Sequence, residues 1–447
     1  MSEVVEPVLR ESGERWPAMF RALRHRNYRL FFSGQIISLI GTWMQSVAQA
    51  WLVYRLTGSS LLLGLVGFSS QIPVFLLAPV GGMVADRYSR YRSVIATQTA
   101  AMVLALSLSA LTLLEHIQVW QIMVLAALMG LVNAFDIPAR QAFIVEMVKS
   151  DDLINAIALN SSMVNGARIL GPAIAGVTVA AIGEGWCFFA NGASYIAVIV
   201  GLLLMAVPPR ERREGVSGLE SIVEGFRFVT RAGPIRALLL LLGVVSVTGM
   251  PFTVLMPIFA DQVLHGGARG LGWLMGASGV GALTATLILA AKREVRGLGR
   301  WITFASAGFG SSMILFALSR SFYLSIALLM PVGFSMMLQM ASSNTLIQTM
   351  SPDALRGRVM AVYSMMFMGM APFGSLLAGA LANHLGAPIT VALGGFACLL
   401  GALIFASRWP GLRGEARQLI LAQAMSSGEP PEEMTGQQAV TLGRDSK

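Results

Sequence analysis

Apolar runs of membrane-spanning length alternate with short polar connections along most of the chain, and they set its predicted architecture. About 20 consecutive apolar residues in a helix cross a hydrocarbon layer. By that measure twelve spans are expected, over 30–54, 61–85, 94–114, 119–135, 156–182, 186–207, 237–259, 271–291, 301–318, 323–347, 359–381 and 389–406. The pattern predicts an all-α integral membrane protein. It divides into a segment 1–29, a six-helix bundle 30–207, a linker 208–236, a second bundle 237–406 and a polar tail 407–447. Apolar residues at helical spacing in the linker (Leu219, Ile222, Val223, Phe226) predict an interfacial helix there. The tail, with Pro430, Pro431, Glu432 and Glu433, is expected to be mostly disordered.

Basic residues fix the expected orientation, because loops rich in Lys and Arg resist translocation. Of the 32 Lys and Arg, 28 fall on one side of this topology. Arg55, Arg269 and Arg320 stand opposite, and Arg168 is left inside a span. Both termini are therefore expected to be cytoplasmic, and the net charge of +9 is accounted for without a nucleic-acid partner. The composition agrees, with 55% hydrophobic and 12% charged residues. Cys187 and Cys398 are the only cysteines, so no disulfide framework or thiolate metal cluster is available. The start of the chain lacks the apolar core of a cleavable signal.

The two halves carry a weak internal repeat. Gly58 to Gly64 recurs as Gly266 to Gly272, and the pair Gly171 and Gly176 recurs as Gly374 and Gly379. Duplicated bundles leave such traces in transporters.

Between the second and third spans lies Gly82-Met83-Val84-Ala85-Asp86-Arg87-Tyr88-Ser89-Arg90-Tyr91-Arg92. A glycine permits close helix approach, and an aspartate can take the positive end of a neighbouring helix or an arginine. The string resembles the signature of the major facilitator superfamily, departing from it at Ser89 and Tyr91. The resemblance implies two pseudo-symmetric six-helix bundles. It also implies a latch in which Asp86, with Gly82, Arg87, Arg90 and Arg92, engages the start of the eleventh span at Arg356-Gly357-Arg358 and releases it on inward opening. The equivalent loop of the second half is degenerate, with Ala290, Glu294, Val295 and Leu298 at motif positions. Span five carries Gly166, Gly171-Pro172 and Gly176, a spacing similar to the superfamily's antiporter motif, which implies export.

Ionisable residues inside spans are costly and point to function. Arg168 lies near mid-membrane and requires a partner or a wet cavity. Left unpaired, it favours an anionic or phenolate-bearing substrate. Asp136 has Asn133 and Arg140 on its own helix face, and two readings stand: a local Asp136–Arg140 ion pair, or a proton-coupling carboxylate acting with Glu146. Polar stripes at helical spacing mark expected cavity walls: Gln35, Thr42, Gln45 and Gln49 on span one, and Ser335, Gln339 and Ser342 on span ten. Trp43, Phe135, Met336 and Met340 are candidates for a soft apolar wall.

No phosphate-binding loop and no His-Glu-x-x-His string occurs, so neither an ATP-driven machine nor a metalloenzyme is expected. A passive channel and a non-transporting receptor stay open. Phe135-Asp136-Ile137-Pro138-Ala139-Arg140, Ala167-Arg168-Ile169-Leu170-Gly171-Pro172 and Arg356-Gly357-Arg358-Val359-Met360 are similar to the superfamily branch that contains the bacterial enterobactin exporter. That resemblance implies a monomeric efflux carrier in the bacterial cytoplasmic membrane, driven by a proton gradient without a bound cofactor. Its implied substrates are siderophores, drugs or other amphipathic metabolites. The same fold also serves lysophospholipid and nutrient carriers.

Overall fold

In the hydrocarbon no water satisfies backbone amides, so each crossing segment must bond internally as helix. The computed structural model describes residues 18–206, 218–291 and 297–426. Among them twelve spans are long and apolar enough to cross a membrane, and the chain is a multi-pass membrane protein. The first bundle holds α1 (Arg26–Thr57), α2 (Ser60–Arg87), α3 (Arg90–Leu113), α4 (Val119–Met147), α5 (Leu153–Ile182) and α6 (Glu184–Leu203). A linker helix α7 (Gly218–Arg231) follows.

The second bundle begins with a seventh span built in pieces. These are α8 (Gly233–Val244), a π turn Val245–Gly249, α9 (Phe252–Ile258) and a second π turn Phe259–Val263. Pro251 and Pro257 each withdraw a backbone donor there, which accounts for the interruptions. The remaining spans are α10 (Gly267–Ala291), α11 (Leu298–Leu318), α12 (Phe322–Met350), the broken pair α13 (Asp353–Phe367) and α14 (Ala371–Leu385), and α15 (Ala387–Ser426).

The bundles touch chiefly along two crossings, α2 against α14 and α5 against α10. Both depend on glycine. A methyl group at Gly64 would lie 2.6 Å from the Ser375 carbonyl oxygen and 2.9 Å from the Gly379 Cα. One at Gly272 would lie 2.7 Å from the Pro172 oxygen and 2.9 Å from the Gly176 Cα. These four glycines are the repeat-related positions, and each crossing pairs a glycine from one half with the repeat partner of the other crossing's glycine. Both crossings lie toward the arginine-poor end. One apolar core runs through both bundles there, including Leu52, Phe188, Phe259 and Leu271. At the arginine-rich end the core splits into two, one around Tyr28 and Phe143 and one around Ile235 and Tyr363. The molecule is thus sealed at one end and parted at the other.

Two features depart from expectation. The tail does not leave the fold at residue 407: α15 continues to Ser426, while 427–447 lie outside the described residues. The reason is an apolar stripe at helical spacing, in which Trp409, Ala416, Leu419 and Ile420 pack on the second bundle's core. Glu415 accepts a hydrogen bond from Gly233 N at 3.0 Å, satisfying a free donor at the start of α8. Residues 18–25 are also ordered against the first bundle. Arg21, Arg24 and His25 converge on the buried carboxylate of Asp152 at 2.5, 2.7 and 2.7 Å.

The glycine crossings give a direct contrast. Gly176→Leu places a side chain into the α10 backbone and is expected to lower transport more than tenfold, about 1.4 kcal/mol or more, with the protein still inserted. Gly166 has open space at its Cβ, so Gly166→Ala is expected to leave transport within twofold. Uptake into inverted vesicles, normalised to the amount of inserted protein, measures both.

Candidate functional site

A cavity of about 490 Å³ lies between the bundles beneath the glycine crossings. Helix α1 contributes most of its polar wall. Gln35, Thr42, Gln45 and Gln49 all line it, as the stripe on span one predicted. Gln45 is also held from behind, accepting from Asn191 Nδ2 at 2.7 Å. Gln35 is buried with its Oε1 unpartnered. The opposite wall is softer, with Met250, Met256, Met275 and Met336.

The stripe on span ten behaves otherwise. Ser335, Gln339 and Ser342 are buried at 7, 1 and 0% exposure and do not line the cavity; α12 presents Met336 instead. Ser335 belongs to the seam where α12 packs on α11, and Gln339 and Ser342 are enclosed, the Gln339 amide and the Ser342 hydroxyl without hydrogen-bond partners among the described residues. A methyl at Gly308 of α11 would lie 2.9 Å from Ser335 Oγ. Helix seams in membranes favour such residues. Of the proposed soft wall, Trp43 and Met336 face the cavity, while Phe135 and Met340 do not.

Three charged side chains reach the cavity: Asp136, Arg140 and Arg168. Asp136 is 3% exposed and heavily bonded. It accepts from Thr97 Oγ1 at 2.8 Å and Gln98 Nε2 at 2.9 Å, and pairs with Arg140 at 3.1 Å. Asn133 lies on the same wall. The ion-pair reading of Asp136 therefore matches the geometry. Glu146 belongs elsewhere: it pairs with Arg90 at 3.1 Å, about 15 Å further along α4.

Arg168 is different. Its guanidinium stacks over the Trp43 ring with 5.0 Å to the centroid, and its enclosed Nε has no hydrogen-bond partner. It forms no ion pair with Asp136 among the described residues. The glycines around it serve α1 and α10: a methyl at Gly171 would lie 2.9 Å from the Ile40 oxygen, and Pro172 lines the cavity. Among the described residues, the polar wall, the neutralised Asp136–Arg140 pair and the cation Arg168 leave the cavity with an excess of one positive charge.

At the parted end, Asp86 pairs only with Arg90 among the described residues, at 3.4 Å, and its side chain is 61% exposed. Arg90 also donates to the Ala85 and Ala142 oxygens. The expected partners of Asp86 are engaged elsewhere: Arg356 with Asp353 at 2.5 Å, and Arg358 with Glu224 of α7. Asp86 makes no ion pair with Arg356 or Arg358 in this arrangement. A methyl at Gly82 meets nothing within 4 Å, and Arg87 and Arg92 are exposed. In the degenerate counterpart loop, Glu294 and Val295 lie outside the described residues, as does the side chain of Ala290.

The sequence signature of the transmembrane secretion effector family spans residues 18–429. This chain belongs to that family of major facilitator transporters. The staphyloferrin A transporter of Staphylococcus aureus is 25% identical over 381 residues, covering 84% of this chain and 95% of the relative. The enterobactin exporter EntS of Escherichia coli is 25% identical over 417 residues, covering 92% and 95%. In fold, the chain resembles the nucleoside transporter NupG with a TM-score of 0.68 at 13% identity, covering 86% and 98%. It also resembles an inward-facing bacterial homologue of the lysosomal transporter Spinster, with a TM-score of 0.62 at 14% identity, covering 89% and 98%.

For this secretion effector, the Asp136 network makes a stability prediction. Removing one partner of a buried pair leaves the other uncompensated, at a cost of about 3 kcal/mol. Asp136→Leu is expected to lower the melting temperature of the purified protein by several degrees. Asp136→Leu combined with Arg140→Met is expected to recover most of the loss.

Proposed function

We propose that this secretion effector exports anionic, amphipathic metabolites of the siderophore class across the bacterial cytoplasmic membrane by alternating access, driven by inward movement of protons. The arginine-rich end faces the cytoplasm, so the arrangement described above is the inward-open state that loads cargo. The observation that carries the reading is Arg168. A guanidinium held at mid-membrane over Trp43, with an enclosed donor unused, is built to receive an oxygen anion, and its planar fork suits carboxylate or phenolate oxygens. Trp43 adds an aromatic surface, and the methionines of the far wall adapt to irregular apolar parts. The names of two relatives, a staphyloferrin A transporter and an enterobactin exporter, support the same class of cargo. No cofactor is required; the proton gradient supplies the energy.

Transport follows from these parts. Cargo enters from the parted end and its anionic group meets Arg168. Closure at the cytoplasmic side brings Asp86 to the start of α13, displacing Glu224 from Arg358, while the glycine crossings open at the other end. The Asp86 carboxylate then holds the outward-open state until the cargo leaves.

Arg168→Gln is expected to reduce the affinity for anionic cargo about ten- to hundredfold, the loss of one charge-assisted hydrogen bond, and to leave neutral compounds within twofold. Arg168→Lys falls between them. Competition against a labelled catecholate or citrate-type chelator in proteoliposomes measures this, and equal loss for neutral and anionic compounds would contradict it. Asp86→Asn is expected to slow turnover roughly tenfold, about 1.4 kcal/mol in the barrier, with cargo affinity unchanged. Wild-type turnover of a correctly inserted Asp86→Asn protein removes the latch from the mechanism.

A further inference from the structure

Coupling transport to protons requires a titratable group whose surroundings differ between the two end states. Asp136 lines the cavity, but its bonded partners do not differ in that way. Its partners Thr97, Gln98 and Arg140 all sit on α3 and α4, in its own bundle, and rigid rocking of one bundle against the other carries them along unchanged. A carboxylate that meets the requirement is Asp261.

Asp261 lies in the π turn Phe259–Val263 at the arginine-poor end of the seventh span. Such turns displace side chains from the regular helical position and recur at functional sites. Its Oδ2 accepts a hydrogen bond from the Tyr54 hydroxyl at 2.7 Å. Tyr54 belongs to α1, so this bond joins the two bundles. A second cross-bundle bond, Ser60 Oγ to the Gly379 oxygen at 3.1 Å, lies at the α2–α14 crossing. Both therefore exist only while the outer end is sealed. Val53 and Pro257, neighbours of the pair, line the cavity, so the bond sits directly above its roof.

The remaining ionisable groups near the turn are accounted for. Arg55 is gripped by both oxygens of Glu184, at 2.7 and 3.2 Å. His265 and Arg269 lie on the connection and the start of α10, and His384 at the end of α14; among the described residues none of them pairs with Asp261. The phenol of Tyr54 is the group that answers the carboxylate.

We infer that Asp261 is a proton-binding site of the outer gate: Tyr54 holds its carboxylate when the gate is shut, and a proton from the periplasmic water takes it when the gate opens. The chemistry is a simple addition, in which the carboxylate and a hydronium ion give the carboxylic acid and water. A phenol bonded to a carboxylate is a charge-assisted pair, about twice as strong as the neutral pair left after protonation. Acid outside therefore loosens the seal, and opening and proton uptake become one event; on closure Tyr54 retakes the carboxylate and the displaced proton leaves into the cavity below, which then opens to the cytoplasm. The assignment rests on the proton-driven export reading and names the residue through which it acts.

The test uses the full chain in lipid nanodiscs with spin labels at Leu114→Cys and Arg320→Cys, exposed positions of opposite bundles at the outer end. Cys187 and Cys398 are buried and need no replacement. The wild type is expected to shift from short to long outer distances as the medium passes from mildly alkaline to acidic. Asp261→Asn is expected to abolish that response. Tyr54→Phe raises the open fraction roughly tenfold at alkaline pH, equivalent to about 1.4 kcal/mol. Asp261→Glu, which keeps the carboxylate, retains the response and controls for folding. Proton-driven accumulation of an anionic chelator by the wild type is measured in parallel. A wild type that accumulates nothing under a proton gradient overturns the export reading. A driven wild type whose Asp261→Asn variant keeps both accumulation and the pH-dependent distances overturns the gate assignment.

Discussion

Two glycine-on-glycine crossings hold the halves of this transporter together, and everything else about its state follows from where they sit. Lipid tails give helices no hydrophobic reason to associate, so association rests on close packing and on the hydrogen bonds that close packing permits. At Gly64 with Gly379 and at Gly176 with Gly272, backbones approach to a distance that any side chain would forbid. That closeness brings Tyr54 within reach of Asp261 and Ser60 within reach of Gly379. It also merges the apolar cores of the two bundles at one end only. The other end, lacking such crossings, is left with exposed Asp86 and with arginines tied to their own bundle or to α7.

The polar interior is arranged in the same economical way. Several charges of the first bundle are neutralised within it: Asp136 with Arg140, Arg55 with Glu184, Arg90 with Glu146. The two partners of each such pair move together with their bundle. Among the described residues, Arg168 has no ion-pair partner, and the partner of Asp261 lies across the interface. The first faces the cavity and the second faces the seal, the two places that the proposed mechanism assigns to cargo and to driving ion.

Much of this was legible in the sequence, for physical reasons. Span length is dictated by hydrocarbon thickness, so the twelve helices could be read from apolar runs alone. The repeat offsets singled out Gly64, Gly176, Gly272 and Gly379 before any contact was known. Arg168 stood out because a charge at that depth is expensive. Other features left weaker traces. The stripe of Ser335, Gln339 and Ser342 looked like a wall, but helical spacing gives a face without saying whether that face meets water or another helix. The helix from Arg408 to Ser426 was hidden because its apolar stripe is sparse among charged residues. Asp261 fell two residues beyond the expected end of span seven, and the π turns that carry it there have no simple periodic signature. An acidic residue close to the end of a span, matched by a tyrosine at the end of span one, was the signal available.

The account stands or falls on whether Arg168's cavity moves an anion uphill at the expense of protons. The direct measurement is accumulation of a labelled anionic chelator in proteoliposomes across an imposed pH gradient, with and without a protonophore. The account predicts accumulation above the external concentration on the side that supplies the protons, collapsing when the protonophore is added. Equilibration to equal concentrations regardless of the gradient would contradict it.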